Sequence, residues 1–411
     1  MNILYLLDQF PKISETFILN EIIALKQSGH TVLVAAHGQE NGKAHEAIQK
    51  HGLREDTIYP SNTPDFSGYQ NGRQKILDFI RRFLTDFIKH PLGTIKIVCA
   101  NAGISSNIWV FLDNYLLARQ LQGRAIDLVH APYTYLRHLE LAVLLSDLLH
   151  VPLSCTLRDF EPCRARQIAK KARFMKKVSR LVAISRYNKM HSMSKFGIKT
   201  GVEIIHDSID MDQFRPAKAG KAARIICLCR FVEQKGVEDL LNAGKILKSR
   251  RRYFELRLIG SGPLKSRYEE LIKGYDLCAS VTIKGPLTQG EIKEELDEAM
   301  VFVLPCVIAQ NGERDILPNV LKEAMAMEIP VITSDICGIE ELVEHEVNGL
   351  LIPSQNPTAI ADAIERLFDD RALRERLGRK AREKIENEFN IEKESKKVEA
   401  VFKKAAGAHQ P

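Results

Sequence analysis

Short apolar runs alternate along this chain with longer stretches in which apolar residues recur every three to four positions, and the whole alternation occurs twice. In the first half, residues 3–7 and 32–36 read as buried parallel strands around a helix from about residue 15 to 28. Ser14 is the expected N-cap of that helix, Phe17, Ile18, Ile22 and Leu25 form one face, and Gly29 stops it. Further strands are expected at 128–130, 153–157, 181–185 and 202–206. A second series begins near Arg224, with strands at 225–229, 256–260, 281–284, 301–305 and 331–334 and amphipathic helices between them. Pro216 and the small, basic stretch 217–223 mark a hinge. After Pro357 the chain reads as helical to its end, with a break at Asp370 and a last basic helix over 392–406. Such alternation predicts an α/β protein of two doubly wound, Rossmann-like domains, each a parallel sheet covered by helices. Their ligand cleft should lie at the carboxyl ends of facing strands.

Residues 72–122 interrupt this regularity. The first helix there has a broad apolar face from Ile76 to Ile88, with Lys75, Arg81, Arg82 and Lys89 on the remainder. The pattern allows a helix lying in a membrane interface and, equally, one that covers a sheet.

Composition narrows the class. A length of 411 residues suits two domains, and 45% hydrophobic and 27% charged residues exclude collagen-like, disordered and disulfide-scaffold chains. No apolar run reaches the roughly 18–20 residues needed to span a bilayer. The apolar start is broken by Asp8 and preceded by no basic residue, so no signal peptide and a cytoplasmic location are expected. Eight cysteines include no C-x-x-C pair, and Cys155, Cys227, Cys229 and Cys306 fall in strand-like runs, so reduced core thiols are expected rather than a zinc site. The net charge of +7 is lopsided: residues 1–212 hold 27 basic and 20 acidic side chains, and the rest holds 32 of each. Residues 158–199 alone carry 13 basic and two acidic residues, which points to an anionic partner for the first half.

Three places carry candidate chemistry. Arg230 follows a strand and Lys235-Gly236 precedes a helix; a guanidinium fork, a point charge and helix amides converging at a strand end suit a diphosphate. Gly260-Ser261-Gly262-Pro263 lies again between strand and helix, where glycine lets a ligand approach the backbone. There is no G-x-G-x-x-G and no G-x-x-x-x-G-K-[ST], so nicotinamide and P-loop readings lack their fingerprints. Asp315-Ile-Leu-Pro-Asn-Val-Leu-Lys-Glu323 runs into Ala-Met-Ala-Met, with a helix expected to begin near Leu317, Asp315 just before it and Glu323 on its second turn.

Arg230-Phe-Val-Glu-Gln-Lys235-Gly236, Leu258-Ile-Gly-Ser-Gly-Pro263, Asp315 to Glu323 with seven residues between, Pro330-Val-Ile-Thr-Ser334 and Asn348-Gly-Leu-Leu-Ile-Pro353 occur in that order. Together they resemble the C-terminal domain of family 4 glycosyltransferases, retaining enzymes of GT-B architecture. The opening Phe10-Pro-Lys-Ile-Ser-Glu-Thr-Phe-Ile-Leu-Asn-Glu21 resembles the start of the colanic-acid-type exopolysaccharide enzymes among them. Residues 202–210 and Phe214-Arg-Pro216 are similar to the segment joining the two domains.

That resemblance implies an acceptor-binding domain over 1–212, a nucleotide-sugar domain over 213–385, and a terminal helix over 386–411 crossing back to the first domain. Arg230 and Lys235 would hold the diphosphate of a UDP- or GDP-sugar, Glu323 the ribose and Asp315 the donor sugar. Ile316, Leu317 and Asn319 would face the β-phosphate, Gly260 would border it, and main chain at Ile283 and Lys284 would hold the base. No cofactor and no metal are implied beyond this co-substrate. The partner would be a glycan or lipid-linked glycan, with the enzyme peripheral to the inner face of the cell membrane. The chain departs from the pattern in Asp315, where the family has Glu, in Cys229 for Gly, and in Arg158, where a histidine near the donor sugar is expected. Ser14, His130 and Arg158 are the acceptor-side candidates. Two other classes stay open: a nucleotide-sugar 2-epimerase of the same architecture, and a basic membrane or nucleic-acid binder. The sequence carries no aromatic-interleaved basic strip, so nucleic acid is not an expected partner.

Overall fold

The computed structural model describes residues 1–12, 15–38, 46–59, 72–105, 108–158, 164–199, 201–216 and 223–407, and the side chains of all of these but 72–78. Ser14, Cys163 and most of the hinge stretch 217–223 therefore lie outside the described residues.

The first half folds into a seven-stranded parallel sheet: β1 (Asn2–Gln9), β2 (Thr31–Gly38), β3 (Thr57–Ile58), β4 (Leu128–Ala131), β5 (Leu153–Leu157), β6 (Arg180–Ala183) and β7 (Val202–Ile204). Their order is β3-β2-β1-β4-β5-β6-β7. The helices are α1 (Thr16–Gln27), α2 (Glu46–Lys50), α3 (Gly72–Lys89), α4 (Pro91–Ala102), α5 (Ile108–Leu121), α6 (Leu136–Leu149), α7 (Ala165–Met175) and α8 (Arg186–Phe196). The second half repeats the plan with six parallel strands, β8 (Arg224–Leu228), β9 (Glu255–Ile259), β10 (Val281–Lys284), β11 (Val301–Leu304), β12 (Val331–Ser334) and β13 (Leu350–Ile352), ordered β10-β9-β8-β11-β12-β13. Around it lie α9 (Val237–Ser249), α10 (Lys265–Gly274), α11 (Gln289–Asp297), α12 (Asn319–Ala326), α13 (Pro357–Asp369) and α14 (Arg371–Glu388), and α15 (Ile391–Gly407) is the last described helix.

Strands buried on both faces explain the unbroken apolar runs: β4 and β5 have every residue buried. The order of connection reverses between β1 and β4 in one sheet and between β8 and β11 in the other, so each domain has a crevice at the carboxyl ends of those strands. The last helix returns to the first sheet. Val398, Val401, Phe402 and Ala405 of α15 share a buried cluster with Ile3, Tyr5 and Leu7 of β1. At its first residue, Ile391 N donates to Ile209 O at 3.0 Å, tying the returning chain to the segment after β7.

Several element ends differ from expectation for physical reasons. β7 stops at Ile204, because His206 N donates to the Glu394 carboxylate of α15 instead of continuing a ladder. β11 stops at Leu304, since Pro305 has no N–H to extend pairing. The helix expected near Leu317 starts at Asn319, because Pro318 takes an extended ψ of 125° as its cap. Helix α1 begins at Thr16 with Glu15 in the cap position.

The two domains also meet at α8. Both oxygens of Glu341 accept from its first turn, Tyr187 N at 2.7 Å and Arg186 N at 2.8 Å. The carboxylate of one domain thus satisfies orphan amides of the other and complements the positive end of the helix.

Candidate active site

The crevice of the second domain is shaped by three backbone stitches. Phe231 N donates to Ser261 O at 2.7 Å, Leu264 N donates to Phe231 O at 3.1 Å and Cys229 N donates to Ile259 O at 3.0 Å, clamping the loop after β8 against the loop after β9. Gly260 is required at that clamp: at φ +138°, a Cβ there would lie 2.0 Å from Cys229 O. Arg230 stands between the stitches with an exposed side chain, and none of the described residues forms an ion pair with it.

Lys235 ends a short 3-10 turn, Glu233–Lys235, which Gly236 joins to α9. A Cβ at Gly236 (φ +64°) would lie 1.9 Å from Pro305 O, so glycine is what lets this turn sit against the end of β11. Lys235 Nζ donates to Asp315 Oδ1 at 2.8 Å, and Cys306 Sγ lies 3.8 Å from Asp315 Oδ2. Burial pulls the Lys235 pKa down, but the Asp315 carboxylate and the Cys306 sulfur outweigh it, and the net shift is upward. The lysine is therefore a fixed cation at every ordinary pH.

Ile316 and Leu317 are buried beneath the loop leading to α12. Asn319 opens that helix, and its Oδ1 accepts from Lys322 Nζ at 2.8 Å. Glu323, on the second turn, is 4% exposed. Its Oε2 is buried and accepts no hydrogen bond among the described residues. Burial lifts its pKa to about 7, with Lys322 opposing the shift. A buried carboxylate oxygen without a donor is costly, and it marks a place where an incoming hydroxyl would be welcome.

Lys284 contributes backbone only, because its Nζ pairs with Glu295 while its carbonyl accepts from Gly260 N at 3.0 Å. Ile283 is half-buried beside it, and the Cβ side of Gly285 is open. The structure thus joins Lys235 to Asp315 directly, and places Arg230, Gly260 and Asp315 on the loops after β8, β9 and β11 and Asn319 and Glu323 on α12, the helix that follows the last of these loops.

The acceptor-side candidates have a different environment. Arg158 Nε and Nη2 both donate to Asp207 Oδ1, at 2.9 and 2.7 Å, and Nη1 donates to Pro132 O at 2.9 Å. Its Nη2 is 3.7 Å from Glu21 Oε2, and its guanidinium lies over the Phe17 ring. Burial works against its charge, but Asp207 and then Glu21 outweigh it and raise its pKa. His130 is 1% exposed and packed between Tyr5 and Phe402. Burial, then the Arg158 charge, hold its pKa well below the usual histidine value, so it is neutral. Both side chains belong to a buried network with Tyr5, whose hydroxyl donates to Glu21 at 2.7 Å. The guanidinium nitrogens of Arg158 are thus all engaged, whereas His130 Nδ1 is buried and has no hydrogen-bond partner among the described residues.

Sequence reasoning missed two features. Lys322 is fully buried, with Nζ donating to Asp207 O at 2.7 Å, so the donor-side helix is tied to the segment that Arg158 holds. Burial lowers its pKa to about 8. At the first domain's crevice, Asp8, His37 and His138 have potential ligand atoms within 4.8 Å of one another, the one such group among the described residues. Burial pushes the His138 pKa to about 4, Asp8 opposes the shift, and Arg137, Lys12 and Lys171 add to it. The positions of Asp8 and His37 at the ends of adjacent strands beside the reversal point were the available signal.

Comparison with known proteins defines the class. Residues 14–213 match the model of Glycosyltransferase Family 4, and residues 208–384 that of Glycosyl transferases group 1. The chain is 28% identical over 411 residues, 95% of its length, to a Salmonella typhimurium protein assigned to colanic acid biosynthesis as a glycosyltransferase, of which the match covers 96%. It is 39% identical over 167 residues, 41% of each chain, to an amylovoran biosynthesis glycosyltransferase of Erwinia amylovora. The structure of the Anabaena HepE protein with UDP and glucose superposes over 98% of this chain and 99% of that one, with a TM-score of 0.68 at 16% identity. The chain is thus a family 4-like glycosyltransferase of GT-B fold that resembles the colanic acid and exopolysaccharide enzymes.

Proposed function

We propose that this enzyme moves a sugar from a UDP- or GDP-sugar to a hydroxyl of a glycan or lipid-linked glycan in surface polysaccharide assembly. The observation that carries the donor reading is the unpartnered, buried Glu323 oxygen, one helix turn into α12, the helix that follows the loop carrying Asp315. A ribose diol supplies the hydroxyl donors that this oxygen lacks, and a diphosphate supplies the anion for Arg230 and Lys235. Residues 213–385 would hold the donor, residues 1–212 the acceptor, and 386–411 would bind the two domains together.

In this reading Arg230 and Lys235 neutralise the charge that develops on the departing diphosphate, so that no metal is needed. Asp315 keeps Lys235 in place and is positioned to contact the donor sugar. Retention follows from a front-face reaction. The bond from the anomeric carbon to the phosphate oxygen breaks, the bond to the acceptor oxygen forms on the same face, and the acceptor proton passes to the departing phosphate. The seven described cysteines are free thiols, as suits a reducing cytoplasm.

The test is incubation with UDP- and GDP-sugars, with and without lipid-linked glycans from a polysaccharide-producing cell. Transfer of label into the glycan, with release of the nucleoside diphosphate, is expected. Conversion of UDP-N-acetylglucosamine to its 2-epimer without any acceptor would make the protein an epimerase instead.

A further inference from the structure

Twelve large hydrophobic side chains are exposed among the described residues, and eight of them lie between residues 80 and 109. Among the described side chains of α3, Phe79 and Phe83 turn inward, with ring centroids 5.3 and 5.7 Å from Tyr115 of α5. The opposite face presents Ile80, Leu84 and Ile88 at helical spacing, and Leu92 at the start of α4 extends the strip. Ile88 is 79% and Leu92 83% exposed. Ile108 and Trp109, 60% and 42% exposed, continue it at the start of α5.

Charge says what covers this strip. Over residues 80–109 the basic side chains are Arg81, Arg82, Lys89 and Lys96, and the only acidic one is Asp86. Asp86 is already engaged, 3.3 Å from both Arg119 and the Tyr115 hydroxyl. A second copy of this chain meeting the strip through a two-fold axis would set this basic patch against itself. An anionic bilayer instead meets the apolar stripe with its acyl boundary and the lysines and arginines with its headgroups. No described helix is long and apolar enough to cross a membrane, so the face would lie on the surface rather than span it.

The strip also ends where an acceptor would have to arrive. Arg137, in the first turn of α6 just after β4, bonds Asp113 of α5 at 2.7 Å. This places the start of α5, with Trp109, towards the carboxyl end of the first sheet.

We infer that the outer face of α3, α4 and the start of α5 docks this enzyme on an anionic lipid surface. Four of the 13 basic side chains of the stretch 158–199 are engaged or buried within the fold, while Arg164, Arg166, Arg173 and Lys176 stand exposed. Arg158 is locked on Asp207, Lys170 bonds Glu140 at 2.7 Å, Lys171 is buried, and Lys177 bonds Asp147 at 2.6 Å.

Trp109 is the single tryptophan of the chain, so its emission reports on this face alone. Full-length protein is mixed with vesicles of phosphatidylglycerol and phosphatidylcholine, or of phosphatidylcholine only, then followed by fluorescence and co-sedimentation. A blue shift of Trp109 and sedimentation are expected with the anionic vesicles only, reversed as salt rises. The triple variant Leu84→Glu, Ile88→Glu, Leu92→Glu should lose at least about tenfold in vesicle affinity, since three apolar side chains no longer enter the interface. Exchanging Arg81, Arg82, Lys89 and Lys96 for Gln should remove the preference for anionic lipid. Unchanged melting temperature and nucleotide binding in both variants show that the fold and the donor site are intact. Unshifted emission with anionic vesicles, or equal sedimentation of the triple variant, would overturn the inference. So would self-association of the wild type abolished by the same triple variant. Vesicle binding and nucleotide binding are read separately, so either can fail without the other.

Discussion

Replacing Glu323 by Gln should stabilise the empty enzyme while weakening its hold on nucleotide. In the folded chain burial raises the Glu323 carboxyl from its ordinary 4.5 to about 7. Below pH 4.5 the group is protonated in folded and unfolded chains alike, and it costs nothing. As pH rises towards 7 the unfolded chain gives up the proton first, so stability is lost, and above 7 the loss is complete. The gap between about 7 and 4.5, at 1.36 kcal/mol per pH unit, makes that loss about 3 kcal/mol. Glutamine is neutral throughout and escapes it. For a domain of this size the variant should melt on the order of 5–10 °C above the wild type at pH 8, with the difference vanishing near pH 4.5. Scanning calorimetry of both proteins across that range, without ligand, measures it. Titration with UDP or GDP at pH 8 should then show the variant binding at least about tenfold more weakly, because an amide replaces the charged acceptor of ribose hydroxyl bonds. A pH-independent difference in melting, or a stabilised variant that binds nucleotide as well as the wild type, would refute the reasoning.

Three further outcomes follow from the same geometry. Arg230→Ala and Lys235→Ala should each lower turnover with a nucleotide sugar by on the order of 10²-fold or more, read as released nucleoside diphosphate; normal rates in both would reject the clamp. Arg158→Ala strands the buried carboxylates of Asp207 and Glu21 and should cost about 3–5 kcal/mol in denaturant unfolding. Unchanged stability with lost transfer would return Arg158 to the acceptor. Gly236→Ala forces a Cβ to within 1.9 Å of Pro305 O and should destabilise the second domain by at least about 2 kcal/mol, with donor affinity falling because Lys235 is displaced.

What the sequence disclosed follows from what its patterns encode. Buried parallel strands have to be continuous apolar runs, so eleven of the thirteen described strands could be read directly, the two- and three-residue edge strands β3 and β13 being missed, as could the loops after β8, β9 and β11 that carry Arg230, Gly260 and Asp315. The spacing of Asp315 and Glu323 placed both at one helix end, although Pro318 delays that helix to Asn319. Partnerships across long sequence separations left no such trace. Nothing around Arg158 signals that Asp207, 49 residues later, will take its guanidinium, nor that Lys322 will tie the donor helix to the same aspartate. The basic count over 158–199 likewise concealed that several of these side chains are spent on acidic partners from other elements. The helix over 72–89 was ambiguous because its apolar pattern serves more than one surface: Phe79 and Phe83 pack on Tyr115 of α5, while Ile80, Leu84 and Ile88 are exposed.

The central claim is that the crevice built by the loops after β8, β9 and β11 holds a nucleoside diphosphate through Arg230, Lys235 and Glu323. Titration calorimetry with UDP, GDP and the corresponding nucleosides, on the wild type and Arg230→Ala, tests it most directly. One of the two diphosphates should bind the wild type, its nucleoside should bind far more weakly, and the variant should lose at least about tenfold in affinity for the diphosphate but little for the nucleoside. Absence of binding by both diphosphates, or equal affinity of the variant for the one that binds, would contradict the claim.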